Sequence, residues 1–111
     1  MFYRSEGMSA CADVIPYYED GTFYLFYLRD LRDPVKGEGC PWCLLTTKDF
    51  VHYTEHGEVL PRGPEGAQDR WVFTGSCIKA NDEYYIFYTG HNHHMAEQGL
   101  PTQKLLLAKS K

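Results

Sequence analysis

The amino-acid sequence predicts an all-β fold built from four-stranded antiparallel blades, of the kind that stack in a β-propeller. The first observation is an internal repeat: segment 13–27 returns as 76–88 and segment 43–50 returns as 106–111, at an offset of roughly 61 to 63 residues. The second is the aromatic content, since nine Tyr, six Phe and two Trp favour pleated strands. The third is the lack of any sustained helical period. Units that repeat in this way bury their faces against neighbouring units.

The first repeat opens with a predicted hairpin. Its strands are Asp13–Ile15 and Thr22–Leu28, and a turn over Tyr18–Gly21 joins them through an Asp-Gly pair, a strong hairpin signal. The second strand is apolar at both parities, which predicts burial on both faces. Arg29–Gly39 is rich in charge, Gly and Pro, so we expect a loop there.

The rest of the first repeat contains two further predicted strands. Trp42–Thr47 is the third, and Val51–Tyr53 is a short fourth after a turn at Lys48 and Asp49. The following segment, Glu55–Arg70, holds two prolines and three glycines and predicts a long irregular connection. Connections of that length are usually functional or mobile.

The second repeat shows the same order of elements. Trp71–Ile78 and Glu83–Thr89 form the second predicted hairpin, Asn92–Gln98 a helical turn capped by Asn92, and Gln103–Ala108 the next third strand. We therefore expect one domain over residues 1–111, with a first blade at about 10–54 and an incomplete second blade at about 71–111.

The composition narrows the class of protein. A chain of 111 residues is at most one domain, and 43% hydrophobic with 23% charged residues is typical of folded soluble proteins. The net charge of −4 with no basic run argues against nucleic acid or an anionic membrane as partner. There is neither a run of roughly 18 apolar residues nor a signal-peptide pattern, so a cytoplasmic location is expected. The four cysteines are too few for a disulfide framework, which predicts free thiols.

Several segments, taken in order, carry a resemblance to a known group of enzymes. They are Ala12-Asp13-Val-Ile-Pro16, Gly21-Thr-Phe-Tyr-Leu-Phe-Tyr27, Leu45-Thr-Thr-Lys-Asp-Phe-Val-His-Tyr53, Val72-Phe-Thr-Gly-Ser76 and Tyr85-Ile-Phe-Tyr-Thr-Gly90. Their order resembles the N-terminal part of the five-bladed β-propeller glycoside hydrolases of families 32, 43, 62 and 68. The resemblance implies about one and three-quarter blades of a five-bladed propeller, and a carbohydrate as partner.

The resemblance also implies a role for Asp13. In these families an aspartate on the innermost strand of the first blade acts as nucleophile in retaining members and as general base in inverting members. The chemistry needs a second carboxylate that donates a proton to the leaving oxygen. The family places that glutamate, and a stabilising aspartate, on later blades, so the resemblance implies that both are missing from this chain.

Two departures from the fructosidase pattern limit what the resemblance implies about the sugar. That pattern continues Asp-Pro-Asn-Gly after the aspartate, whereas Val-Ile-Pro follows Asp13 here, which puts a fructose substrate in doubt. The tripeptide Arg32-Asp33-Pro34 spells another fructosidase motif but lies in the loop after the first hairpin. We interpret it as an ordinary turn signal.

The predicted substrate-binding residues lie on the strand starts and loops of the second repeat, apart from one tryptophan of the first. Thr74 and Ser76 belong to the Thr-Gly-Ser segment, and Ser76 is interpreted as the start of the counterpart of the Asp13 strand. Alternatives remain: a loop acid at Asp69, and core packing for both tryptophans. The full predicted set is Trp42, Asp69, Thr74, Ser76 and His91.

A metal site is a further alternative that we do not favour. Cys40 and Cys43, with two imidazoles from His91–His94, would complete a tetrahedral zinc site, but the spacing matches no known finger. A redox role for the cysteine pair needs a helix N-terminus, whereas a strand follows it. We predict no metal and no cofactor.

Two functions therefore remain open. The chain is the N-terminal part of a propeller glycosidase, inactive alone because the general acid is missing, or a non-catalytic carbohydrate-binding or structural module. In the second case it self-associates through open blade edges, since unpaired strand edges invite pairing with another chain.

Overall fold

The computed structural model describes residues 9–31 and 39–110, which fold into two antiparallel β-sheets and one short 3₁₀ helix. The first sheet has the order β1-β2-β3-β4 and the second the order β5-β6-β7. These sheets confirm the predicted all-β fold with one complete and one three-stranded blade. The strands are β1 Ser9–Glu19, β2 Thr22–Leu31, β3 Trp42–Thr47, β4 Tyr53–Leu60, β5 Trp71–Ala80, β6 Glu83–His91 and β7 Gln103–Ser110.

Both hairpins close with two-residue turns. Asp20 and Gly21 join β1 to β2 with φ angles of 49° and 83°, and Asn81 and Asp82 join β5 to β6 with 52° and 62°. Positive φ at both positions matches the twist of the flanking strands. The predicted Asp-Gly turn is confirmed, although β1 continues through Glu19 rather than ending near Ile15.

The predicted alignment matched segment 13–27 to 76–88 and so required the second turn to be about two residues shorter. The two turns have equal lengths, which corrects that alignment. The first strand of each sheet carries a β-bulge, between Ala12 and Ile15 in β1 and between Phe73 and Gly75 in β5. Ala12 pairs with Leu28 as Phe73 pairs with Thr89, a constant offset of 61 residues. The structural counterpart of Asp13 is therefore Thr74, two residues before the predicted counterpart.

The fourth strand was placed wrongly by the sequence. Val51 and His52 lie in a turn, because their backbone N–H groups both donate to Oδ1 of Asp49, at 2.9 and 2.8 Å. The strand begins at Tyr53 and runs to Leu60, so the first sheet extends past residue 54. It is an outer strand with mostly exposed side chains, and it therefore lacks the apolar alternation that signals a strand.

The connection between the sheets is consequently shorter than predicted, covering residues 61–70. Hydrogen bonds fasten it to the end of β6: Gln68 Nε2 donates to the carbonyls of Gly90 and Thr102, and Asn92 Nδ2 donates to Ala67 at 2.7 Å. Asn92 is fully buried, and its Oδ1 accepts the backbone N–H of His94, which caps the 3₁₀ helix His93–Gln98 as predicted.

The main core lies between the two sheets. Its buried residues are Ile15, Phe26, Leu28, Cys40, Trp42, Val72 and Tyr88. Trp42 sits at the contact between the sheets, with no exposed surface and its indole N–H donated to the Phe73 carbonyl at 3.0 Å. Burial of these side chains is the dominant force holding one blade against the other.

The strand β2 contributes to a second cluster on its opposite face. Tyr27 packs there with Cys43 and Leu45, while Phe26 and Leu28 face the main core. The predicted burial of both faces of this strand is therefore confirmed. Burial raises the pKa of the Cys43 thiol to about 11. The Arg32-Asp33-Pro34 segment lies outside the described residues.

A polar cluster joins the sheets beside the turns. The carboxylate of Glu19 accepts hydrogen bonds from the hydroxyls of Tyr84 and Tyr17 and pairs with Lys79 Nζ at 3.1 Å. The Tyr84 hydroxyl, followed by Lys79, holds the pKa of Glu19 below its ordinary value. In the described parts of the chain, no helix is long and apolar enough to cross a membrane.

Candidate functional site

The candidate site is a pocket of about 490 Å³ beside the bulges of β1 and β5. Its volume falls within the roughly 300–1,000 Å³ range of small-molecule sites. Both sheets contribute to its wall, so the pocket exists only once the sheets have packed. The lining residues are Ala12, Asp13, Leu28, Cys40, Trp71, Phe73, Thr74, Thr89 and Gln103.

Asp13 lies in this pocket because the bulge of β1 places it there. It is the extra residue of the bulge between Ala12 and Ile15 and has a φ of 45°. That left-handed conformation is uncommon for residues other than Gly, although Asp tolerates it better than most. Its side chain is exposed to the pocket. Conformations of this kind occur often at functional sites.

Thr74 holds one oxygen of that carboxylate. Its Oγ1 donates to Asp13 Oδ2 at 2.7 Å, a hydrogen bond between equivalent bulges of the two repeats. The neighbouring Gly75 permits the bulge, because a Cβ there would lie 1.7 Å from the Phe87 carbonyl oxygen. Asp13 Oδ1 accepts no hydrogen bond from any described residue, so it is available to a ligand.

Trp42 is a correction to the predicted site. Its side chain is completely buried between the sheets and makes its hydrogen bond with a backbone carbonyl. A sugar ring needs an exposed aromatic face on which to stack, and Trp42 offers none. It is a core residue, as the alternative interpretation held.

Asp69 and Ser76 do not line the pocket. Asp69 Oδ2 accepts the Tyr88 hydroxyl at 3.4 Å, and its backbone carbonyl accepts the Gly63 N–H at 2.8 Å, so it orders the connecting segment. Ser76 is exposed and pairs with Phe87 two residues beyond the bulge. The prediction treated it as the counterpart of Asp13, a position that Thr74 takes.

His91 lies behind the pocket wall rather than in it. Its ring stacks on Phe73 with centroids 4.8 Å apart and lies 5.9 Å from the ring of Trp71. Burial, followed by the neighbouring His93, lowers the pKa of His91 below its ordinary value. Its Nδ1 is buried and has no hydrogen-bond partner among the described residues. A role in binding substrate stays a prediction.

Several lining residues were not predicted from the sequence, chiefly Phe73, Thr89 and Gln103. The pairing of the strands places them, since Phe73 lies opposite Thr89 and Trp71 opposite His91, which in turn lies opposite Gln103. The alternation of side chains along β5 could have indicated which residues face the pocket, but only if the strand register and the position of the bulge were known.

The cysteine and histidine clusters do not meet. Cys40 and Cys43 are buried in different clusters of the core, and all four cysteines are free thiols. Within residues 9–31 and 39–110, no group of three or more His, Cys, Asp or Glu side chains is arranged to hold a metal ion.

Known proteins resemble this chain in sequence. Sucrose-6-phosphate hydrolase from Vibrio alginolyticus is 31% identical over 86 residues, covering 78% of this chain and 17% of that protein. The levanbiose-producing levanase of Bacillus subtilis (strain 168) is 38% identical over 63 residues, covering 57% of this chain and 12% of that protein. The chain thus spans less than a fifth of the length of these relatives.

A solved structure described as a glycoside hydrolase has the same fold. It superposes with a TM-score of 0.73 at 19% identity, covering 99% of this chain and 30% of that one. The family model described as "Glycosyl hydrolases family 32 N-terminal domain" matches residues 15–111, and Asp13 lies two residues before that match. Because the match covers most of the chain, the protein belongs to glycosyl hydrolase family 32, within its N-terminal domain.

Proposed function

We propose that this chain supplies the first catalytic carboxylate of a glycoside hydrolase, with Asp13 as nucleophile or general base. The names of the relatives suggest a saccharide of the sucrose or levan kind as substrate. The observation that carries the proposal is the placement of Asp13. It projects from a bulge into a pocket of about 490 Å³, with one carboxylate oxygen held by Thr74 and the other available.

The hydrogen bond from Thr74 makes this residue a positioning residue. Thr74 Oγ1 donates to Oδ2 of Asp13 at 2.7 Å and so restricts rotation of the carboxylate. The orientation of Oδ1 is thereby fixed as well. An attacking group held in one orientation avoids part of the entropic cost of reaction. The strained φ of Asp13 is consistent with a residue positioned for function.

The mechanism needs a second carboxylate. Glycoside hydrolysis uses one group to attack or activate water and another to protonate the leaving oxygen. Among the described residues that line the pocket, Asp13 is the only acid. General acid catalysis is worth about 10²- to 10⁴-fold, so we propose that hydrolysis requires an acid supplied by further blades and that this 111-residue chain alone is inactive.

The test is the substitution Asp13→Asn in a polypeptide that carries this segment with a complete catalytic site. We expect kcat to fall by at least about 10³-fold, because the reaction loses the group that attacks the sugar or activates the water that does so. The matched control is Asp20→Asn, the same change at an exposed turn residue that also has positive φ. If Asp13→Asn kept most of the activity, Asp13 would not be the catalytic carboxylate.

Self-association is a second proposal, which the open edge of β7 supports. Among the described strands β7 pairs only with β6, and Leu105 and Leu107 are 76% and 53% exposed. A groove of about 450 Å³ lies between the two sheets, and its lining includes Leu44 and Leu60 of the first sheet and Ala108 of β7. Light scattering of the purified chain tests the proposal, and a monomer at all concentrations would exclude it.

A cytoplasmic location also remains a proposal. Free thiols at Cys11, Cys40, Cys43 and Cys77 support it, because thiols persist in a reducing compartment. Fractionation of cells that produce the protein would test it.

A further inference from the structure

The second sheet forms its own part of the pocket wall, separate from Asp13. The strand register places Trp71, His91 and Gln103 in one row across β5, β6 and β7. A second row, two residues away along each strand, contains Phe73, Thr89 and Leu105. Because side chains alternate between faces along a strand, these two rows share a face. Four members of the rows line the pocket: Trp71, Phe73, Thr89 and Gln103.

Trp71 is held as a platform on this wall. Three imidazoles pack around its indole, with ring centroids at 4.7 Å for His93, 5.9 Å for His91 and 6.3 Å for His94. The side chain is only half-buried, so part of its ring faces the pocket. A rigid, partly exposed aromatic ring binds an apolar ligand face at low entropic cost.

Gln103 supplies the complementary polar group. Its amide offers two donors and one acceptor, the combination that matches a pair of sugar hydroxyls. The side chain is exposed at the start of β7 and makes no hydrogen bond to another described residue. Thr89, half-buried in the same pocket, adds a hydroxyl.

The charge of the wall restricts the ligand. Among the described lining residues Asp13 is the only charged side chain, and it is negative. A phosphate group would meet repulsion from that carboxylate and would find no cation among the described lining residues to bind it. The pocket is therefore suited to an uncharged sugar ring.

We propose that Trp71 and Gln103 form a subsite for an uncharged sugar ring, with the ring face on the indole and its hydroxyls on the amide. The ligand class rests on the proposed glycosidase function, whereas the position and the selection against phosphate rest on this wall. The subsite binds unphosphorylated saccharides in preference to phosphorylated ones.

The experiment is an NMR titration of the ¹⁵N-labelled chain with sucrose and, separately, with sucrose 6-phosphate. Sucrose is expected to shift the signals of the Trp71 indole N–H and the Gln103 side-chain amide, and sucrose 6-phosphate to bind more weakly. Gln103→Leu is expected to weaken sucrose binding about 3- to 10-fold, as expected for a lost neutral hydrogen bond. The matched control, Gln98→Leu, makes the same change at an exposed residue outside the pocket and leaves binding unchanged.

Each other outcome overturns either the subsite or the proposed catalytic role of Asp13. Shifts confined to Asp13 and Thr74 would overturn the subsite and leave the proposed catalytic role intact. Shifts at Trp71 and Gln103, together with full hydrolysis by Asp13→Asn in the complete enzyme, would keep the subsite and reject that role. Tighter binding of sucrose 6-phosphate, or no shift with either sugar, would overturn the subsite. Trp71→Phe, which keeps an aromatic ring, is a second variant. A well-dispersed NMR spectrum would show that this variant is folded.

Discussion

Replacing Trp42 by Phe separates the two interpretations of this tryptophan, as a core residue or as a sugar-binding one. The substitution keeps an aromatic ring between the sheets but removes the indole N–H that donates to the Phe73 carbonyl at 3.0 Å. It also leaves a void, because Trp42 is completely buried. The core interpretation predicts a loss of stability, and the sugar-binding interpretation predicts a loss of affinity.

The magnitude follows from two contributions. The Phe73 carbonyl is a part-buried acceptor, and leaving it without its partner costs about 1–3 kcal/mol. The lost apolar contact and the cavity that it leaves add about 1–2 kcal/mol. We therefore expect the free energy of unfolding to fall by about 2–5 kcal/mol, a large share of the roughly 5–15 kcal/mol typical of a folded domain. At about 4–8 °C per kcal/mol, the melting temperature should fall by at least about 8 °C.

Urea denaturation followed by circular dichroism measures this loss directly. The midpoint should fall with little change in slope, because the surface exposed on unfolding is nearly the same. Trp71→Phe is the comparison, since Trp71 is half-buried and should cost less stability. A loss below about 0.5 kcal/mol for Trp42→Phe would refute the reasoning, since surface substitutions have effects of that size.

Two further predictions concern the contact between the sheets and the bulge of β5. Because the Tyr84 hydroxyl and then Lys79 depress the pKa of Glu19 below its unfolded value of 4.5, its stabilising contribution is present above that pH and is lost as pH falls through the folded value. Glu19→Gln should therefore flatten the dependence of unfolding free energy on pH in the acidic range, and urea titrations showing an unchanged profile would contradict this. Gly75→Ala should destabilise by more than about 2 kcal/mol, because its Cβ would meet the Phe87 carbonyl at 1.7 Å. Gly21→Ala should cost only about 1 kcal/mol, from its positive φ alone, and equal melting temperatures for the two variants would argue against the close approach.

The strands of the first sheet show how much of the fold the sequence predicts. Apolar residues at both parities in β2 predicted burial on two faces, and both clusters are present. The outer strand β4 was missed, because its exposed side chains carry no hydrophobic pattern and its pairing comes from the backbone of β3. Hydrogen bonds between backbones are insensitive to side-chain identity, so a strand of this kind leaves little signal.

The structure brings together only some of the residues that were predicted for the site. Asp13 and Thr74 came from the family resemblance, and the structure places both in one pocket. Trp42 was assigned to the wrong environment, because a tryptophan in the core and one in a binding site have the same letter. Ser76 was preferred to Thr74 as the counterpart of Asp13, because aligning letters placed a length difference in the turn and ignored the matching bulges.

The resemblance to the family singled out Asp13, and the sequence by itself determined the repeat, the all-β class and the two hairpins. These follow from local preferences: periodicity, turn residues and motifs that act over a few positions. Only the tertiary structure decided that Trp42 is buried, that Thr74 hydrogen-bonds Asp13 across 61 residues, and that Trp71 and Gln103 share a wall. Those relations depend on bulges, register and the packing of one sheet on another, which bring together residues distant in the chain.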